Sequence, residues 1–176
     1  MKKSRLATLV LLGAILVAVQ AKATSLNWTS DTCVTVDHTF HVCKPSEKWD
    51  TVKTGNSDLR PVEWVYHKNG PNPRITLRYN PAATGKTAHD YAKVVSSNLK
   101  ADGLKVDSIK NENIAGRNVS VIRGTNTANG FRYLVGVWRN KSKGFELHCS
   151  AQSGDFPSYE PACRASIQSV RIVNEH

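Results

Sequence analysis

The chain has 176 residues, with 24 Lys+Arg against 14 Asp+Glu and a formal net charge of +10. Four of the basic residues (Lys2, Lys3, Arg5 and Lys22) lie in the first 23 positions, so the rest of the chain carries only about +6. That is basic but below the charge density of a dedicated nucleic-acid binder, and it suits anionic head groups, cell-wall polymers or an acidic protein partner.

Lys2, Lys3 and Arg5 precede an apolar run from Leu6 to Val19, and Ala21-Lys22-Ala23 follows. This order reads as a cleavable secretory signal over residues 1–23. The run is shorter than the roughly 20 residues needed to span a bilayer, and no later stretch is long enough. The expected product is a periplasmic or secreted chain, residues 24–176, that forms one domain with an ordinary core. Export also separates it from nucleic acid.

Thr32–Val36 and Thr39–Cys43 alternate as two short strands around Asp37-His38-Thr39. The period of two puts Val34, Val36, Phe40 and Val42 on one face and Cys33, Thr35, His41 and Cys43 on the other. Cys33 then faces Cys43, which favours a disulfide in an oxidising compartment. Trp49 follows as a core candidate, and residues 50–60 read as a loop. Val62–His67 and Arg74–Tyr79 are expected strands around the Asn69-Gly70-Pro71-Asn72-Pro73 turn. Thr87–Asp102 is an expected helix, with a capping-box pattern at Thr87 and Asp90 and an apolar face of Ala88, Tyr91, Ala92, Val95 and Leu99. Four more strands are expected at 104–110, 118–124, 131–139 and 145–151. The last points Phe145, Leu147, Cys149 and Ala151 inward. A final helix from Ser158 presents Tyr159, Ala162, Cys163, Ile167 and Val170, so Cys149 and Cys163 are expected to form the second disulfide. The plan is α+β, an antiparallel sheet with two main helices.

Phe40-His41-Val42-Cys43-Lys44-Pro45 with Trp49, and the helix followed by Ile114-Ala115-Gly116-Arg117, resemble the PsbP/Mog1/DcrB-like family. So do Phe145–Ala151, Phe156-Pro157 and the closing Ser169-Val170-Arg171-Ile172. The resemblance implies an α/β/α sandwich around an antiparallel β-sheet, and members that are mostly non-catalytic binding, accessory or assembly proteins. The hairpin of Cys33 and Cys43 has no counterpart in it, and no family ligand site matches this chain.

Catalytic and metal motifs are absent from the pattern. There is no Gly-x-Ser-x-Gly, and Gly85-Lys86-Thr87 lacks the first glycine of a phosphate loop, with Asn80 in its place. His38 and His41 near Cys33 and Cys43 superficially resemble a zinc cluster, but oxidised cysteines are not thiolate ligands. His148 alternates outward beside Glu146 and Ser150, which reads as a solvated position. No cofactor, metal or catalytic residue is assigned. The remaining surface signal is basic: Arg74 and Arg78 on one strand face, with Arg132, Arg139, Lys141 and Lys143 in the following hairpin region, as a candidate anion or partner site. The function expected is an exported, non-catalytic binding or accessory protein whose partner is a protein of the cell envelope or periplasm. The alternative is a periplasmic immunity protein or inhibitor that blocks a toxin or hydrolase.

Overall fold

The computed structural model describes residues 26–30, 32–52, 60–67, 73–114 and 116–173. The segment read as an export signal and residues 69–72 of the expected turn lie outside them. Eleven strands and two helices follow in the order β1 (Leu26–Ser30), β2 (Cys33–Val36), β3 (Phe40–Cys43), β4 (Trp49–Val52), β5 (Val62–Tyr66), β6 (Arg74–Asn80), α1 (Ala88–Ala101), β7 (Lys105–Ile114), β8 (Arg117–Asn126), β9 (Phe131–Asn140), β10 (Lys143–Gln152), α2 (Phe156–Ser169) and β11 (Arg171–Ile172).

The strands form two antiparallel sheets. One has four strands in the order β1-β2-β3-β11, and the other has seven in the order β4-β5-β6-β10-β9-β8-β7. Alternation along the large sheet separates its two faces. Phe145, Leu147, Cys149 and Ala151 of β10 join Ile75, Leu77 and Tyr79 of β6 and Leu134 and Trp138 of β9 in the main core. That core is closed by Val34, Val36, Phe40 and Val42 from the small sheet and by Phe156, Cys163 and Ile167 from α2. On the opposite face, Tyr91, Ala92, Val95 and Leu99 of α1 pack on Ile122, Val135 and Val137. The result is the expected α+β arrangement, an α/β/α sandwich with a helix on each side of an antiparallel sheet. The small sheet shares the α2 side.

Local chemistry explains the boundaries. Thr87 caps α1: its hydroxyl accepts from the Asp90 N–H while the Asp90 carboxylate accepts from the Thr87 N–H. Gly103, at φ +85°, provides the left-handed residue that ends the helix. α2 begins at Phe156, two residues before the position expected, and Pro157 sits in the first turn where a missing N–H costs least.

The hairpin register is as expected: Cys33 opposes Cys43, Val34 opposes Val42, Thr35 opposes His41 and Val36 opposes Phe40. Cys33 and Cys43 form a disulfide. The expected Cys149–Cys163 bridge is a correction, because both cysteines are free thiols here. They come close to one another across the β10–α2 packing. Burial, and after it the neighbouring Cys163, push the Cys149 thiol well above its usual range. A thiol held protonated in an apolar core lacks the thiolate that disulfide exchange requires.

Candidate functional site

α1 packs against β7, β8 and β9. On the same face α1 meets β10 at its Gly144–Glu146 end through Tyr91, and among the described residues no helix packs broadly over β5, β6 and β10. The strand register fills this half-face with polar side chains. Glu146 of β10 lies opposite Arg78 of β6, His148 opposite Thr76 and Ser150 opposite Arg74. Glu63 of β5 lies opposite Thr76 in turn.

At the boundary between the helix-covered and helix-free halves, Tyr91 reaches down from α1. Its hydroxyl donates to Glu146 Oε1 at 2.5 Å, and His148 Nε2 lies 2.6 Å from Glu146 Oε2. The tyrosine ring is seated over Gly144, where a Cβ would come within 2.5 Å of the ring. A glycine at the start of β10 therefore lets the helix place this hydroxyl.

His148 is only 6% exposed. Its expected solvated position is thus overturned: the outward parity is right, but the side chain is buried and engaged by Glu146. The electrostatics follow from that burial. Burial alone would raise the Glu146 carboxyl, but the hydrogen bond and charge of His148 and the hydrogen bond from Tyr91 outweigh it, so the carboxyl sits below its usual range. Burial pulls His148 down, against the opposing effect of Glu146. The pair is therefore a carboxylate accepting from the Nε2–H of a neutral imidazole. Burial and Glu146 together push the Tyr91 hydroxyl strongly up, so it keeps its proton. Each carboxylate oxygen accepts from a donor, which holds Glu146 as an oriented anion.

The cationic rim is built from Arg60, Arg74 and Arg78. Arg74 is exposed and pairs with Glu63 at 3.2 Å, and Thr76 donates to the same carboxylate at 3.3 Å. The Arg78 Nε is buried and has no hydrogen-bond partner among the described residues. Arg60 is close enough for its charge to act on both Arg78 and His148.

The six basic residues nominated from sequence do not form one surface. Arg74 and Arg78 share the half-face just described. Arg132 shares strand parity with Leu134 and Trp138, which places it at the margin of the α2 side. Arg139 donates to the Lys86 carbonyl at 3.2 Å. Lys141 and Lys143 line a separate cleft of about 380 Å³ with Asp37, His38, Thr39, Asn140, Ser142 and Val173. There Lys143 is 2.6 Å from Asp37, and Tyr79 donates to the same carboxylate. The Lys143 and Tyr79 hydrogen bonds hold Asp37 below its usual range against the opposing effect of burial.

The solution structure of cyanobacterial PsbP (CyanoP) from Synechocystis sp. PCC 6803 aligns over 88% of this chain and 95% of its own, with a TM-score of 0.55 and 13% identity. The chain has a PsbP-like fold. A second match is the Pseudomonas aeruginosa protein PA94, of unknown function, over 84% of this chain and 96% of its own, with a TM-score of 0.51 and 11% identity. No family model and no curated protein sequence matches the chain.

Nothing in the spacing of Tyr91, Glu146 and His148 marks them from sequence as a group. The one signal is the polar alternation Glu146, His148, Ser150, opposite a β6 strand that alternates Arg74, Thr76, Arg78.

Proposed function

We propose that this PsbP-like protein is an exported, non-catalytic accessory protein of the cell envelope that binds an acidic protein partner through the helix-free half-face of β5, β6 and β10. The observation that carries the reading is the prearranged polar lattice on that half-face. Its groups sit on rigid strands with fixed hydrogen bonds, and three arginines border it. The lattice is suited to recognition more than to turnover, because its carboxylate is ionised and doubly engaged. The n-region, apolar run and Ala21-Lys22-Ala23 order of the first 23 residues support the envelope location.

The test is a photo-crosslinking amino acid at Thr76, on the half-face, with Lys110 on exposed β7 as the control. The chain is expressed in its own cells, and the envelope fraction is analysed. The reading expects a mature N-terminus at Thr24 and a discrete protein adduct from position 76 that position 110 does not give. An adduct-free half-face contradicts it. Turnover of an ester or cell-wall substrate that Glu146→Gln abolishes would replace binding with catalysis.

A further inference from the structure

The outer face of the small sheet carries a second constellation, independent of the half-face above. Cys33 opposes Cys43 across β2 and β3, and Thr35 opposes His41 one step along the same face. The Cys33 and Cys43 sulfurs and a ring nitrogen of His41 all lie within 4.8 Å of one another. His41 Nε2 is 3.7 Å from Cys43 Sγ. The other ring nitrogen, Nδ1, is 3.1 Å from Thr35 Oγ1. An Nδ1–H donated to Thr35 leaves the Nε2 lone pair directed toward the sulfurs, the outer-shell device that orients a metal-binding histidine.

Donors around one tetrahedral zinc ion stand about 3.3–3.8 Å apart, given Zn–S near 2.3 Å and Zn–N near 2.0–2.1 Å. The cluster is close to that size before any adjustment. In the oxidised protein the sulfurs are spent on each other. Two-electron reduction converts the Cys33–Cys43 disulfide into two thiols while an external dithiol becomes a disulfide. Metal binding then releases the two thiol protons. Two thiolates and one imidazole form a soft donor set, suited to Zn(II) or Cu(I) and poorly suited to Mg(II) or Ca(II). Cys33, His41 and Cys43 are only half-buried, so an ion reaches them without opening the core.

We propose that the Cys33–Cys43 hairpin is a redox-gated site for one thiophilic ion, closed as the disulfide and open as the dithiol, with His41 as third ligand. The free cysteine pair does not compete for this role. Cys149 and Cys163 lie in the core with exposures of 0% and 2%.

The experiment titrates Zn(II) and, separately, Cu(I) into the purified protein, competing against a chromophoric chelator. One sample is untreated, and one is reduced and freed of reductant under argon. The proposal expects one equivalent bound after reduction and none before. Cys43→Ser should abolish the binding, His41→Ala should weaken it about tenfold or more, and Cys149→Ser should leave it unchanged. Zn(II) and Cu(I) arms that both bind support the shared donor chemistry, and a single positive arm names the ion. In the reduced wild-type protein, bound metal should also protect Cys33 and Cys43 from alkylation, read by mass spectrometry. This readout holds even if a variant fails to fold. No binding after reduction, binding that survives Cys43→Ser, binding indifferent to His41→Ala, or unprotected Cys33 and Cys43 overturns the site.

Discussion

Strand β10 presents two chemistries on alternate residues. Phe145, Leu147, Cys149 and Ala151 point into the main core and are at most 1% exposed. Glu146, His148 and Ser150 point to the other face, where Tyr91 and Arg78 meet them. The first set is held by apolar burial, which is non-directional and tolerates no missing volume. The second is held by short hydrogen bonds around one buried carboxylate, which demand geometry and are sensitive to protons. One strand thus carries a packing face and a polar face, and each is open to a different kind of disruption.

The largest expected effect is on the packing face. Leu147→Ala should destabilise the protein by about 2–5 kcal/mol in denaturant unfolding, through lost burial and the cavity left behind. A loss under 1 kcal/mol would mean the core is less tightly packed than the structure has it. On the polar face, Tyr91→Phe removes the donor to the Glu146 carboxylate and should cost about 1.5–3 kcal/mol. A neutral Tyr91→Phe would break the assignment of Glu146 as a doubly engaged anion.

The pH dependence should come from the polar face. The folded His148 lies below its ordinary 6.5, so below about pH 6.5 the unfolded chain takes up this proton first and stability falls. The folded Glu146 lies below its ordinary 4.5, so its contribution is complete above that value and is lost as pH drops through the lower folded value. Both signs give a protein that weakens progressively on acidification from about pH 6.5. In Glu146→Gln the loss below pH 4.5 should shrink. A profile unchanged by that substitution would assign the acid sensitivity to other carboxylates.

The cysteine pairs sharpen the contrast between surface and core. Alkylation of the native, unreduced protein should label no thiol rapidly. After unfolding without reductant, mass spectrometry should find exactly two labelled positions, Cys149 and Cys163. Four labelled positions would dissolve the hairpin bridge, and none would mean that the core pair also closes.

Much of the packing face was legible in the sequence, since inward parity follows from a period of two and the hairpin register from the three-residue turn at Asp37-His38-Thr39. The inward direction of Cys149 and Cys163 was readable as well; whether they bond was not, because that depends on protonation and access inside the finished core. The polar face was legible only in part. The outward parity of His148 could be read but not its burial, and the groups that meet its partner Glu146 come from Tyr91, 57 positions before His148, and from Arg78 on a strand whose neighbour is fixed only by the sheet order. The grouping of Arg74 with Arg132 failed for the same reason, since β9 presents Arg132 to the opposite side. β1, β4 and β11 have no counterpart among the expected strands; Asp50-Thr51 interrupts the apolar signal of β4, and β11 has two residues.

Adjacent residues of β10 test directly whether its polar face carries the proposed recognition separately from its packing face. Ser150→Glu alters the polar half-face opposite Arg74, and Ala151→Glu puts the same charge into the core. Each is combined with the crosslinker at Thr76, and unfolding and adduct yield are measured together. The account predicts that Ser150→Glu keeps its stability within about 0.5 kcal/mol and loses the adduct, while Ala151→Glu fails to fold. A Ser150→Glu protein that retains the full adduct, or that unfolds as readily as Ala151→Glu, would contradict it.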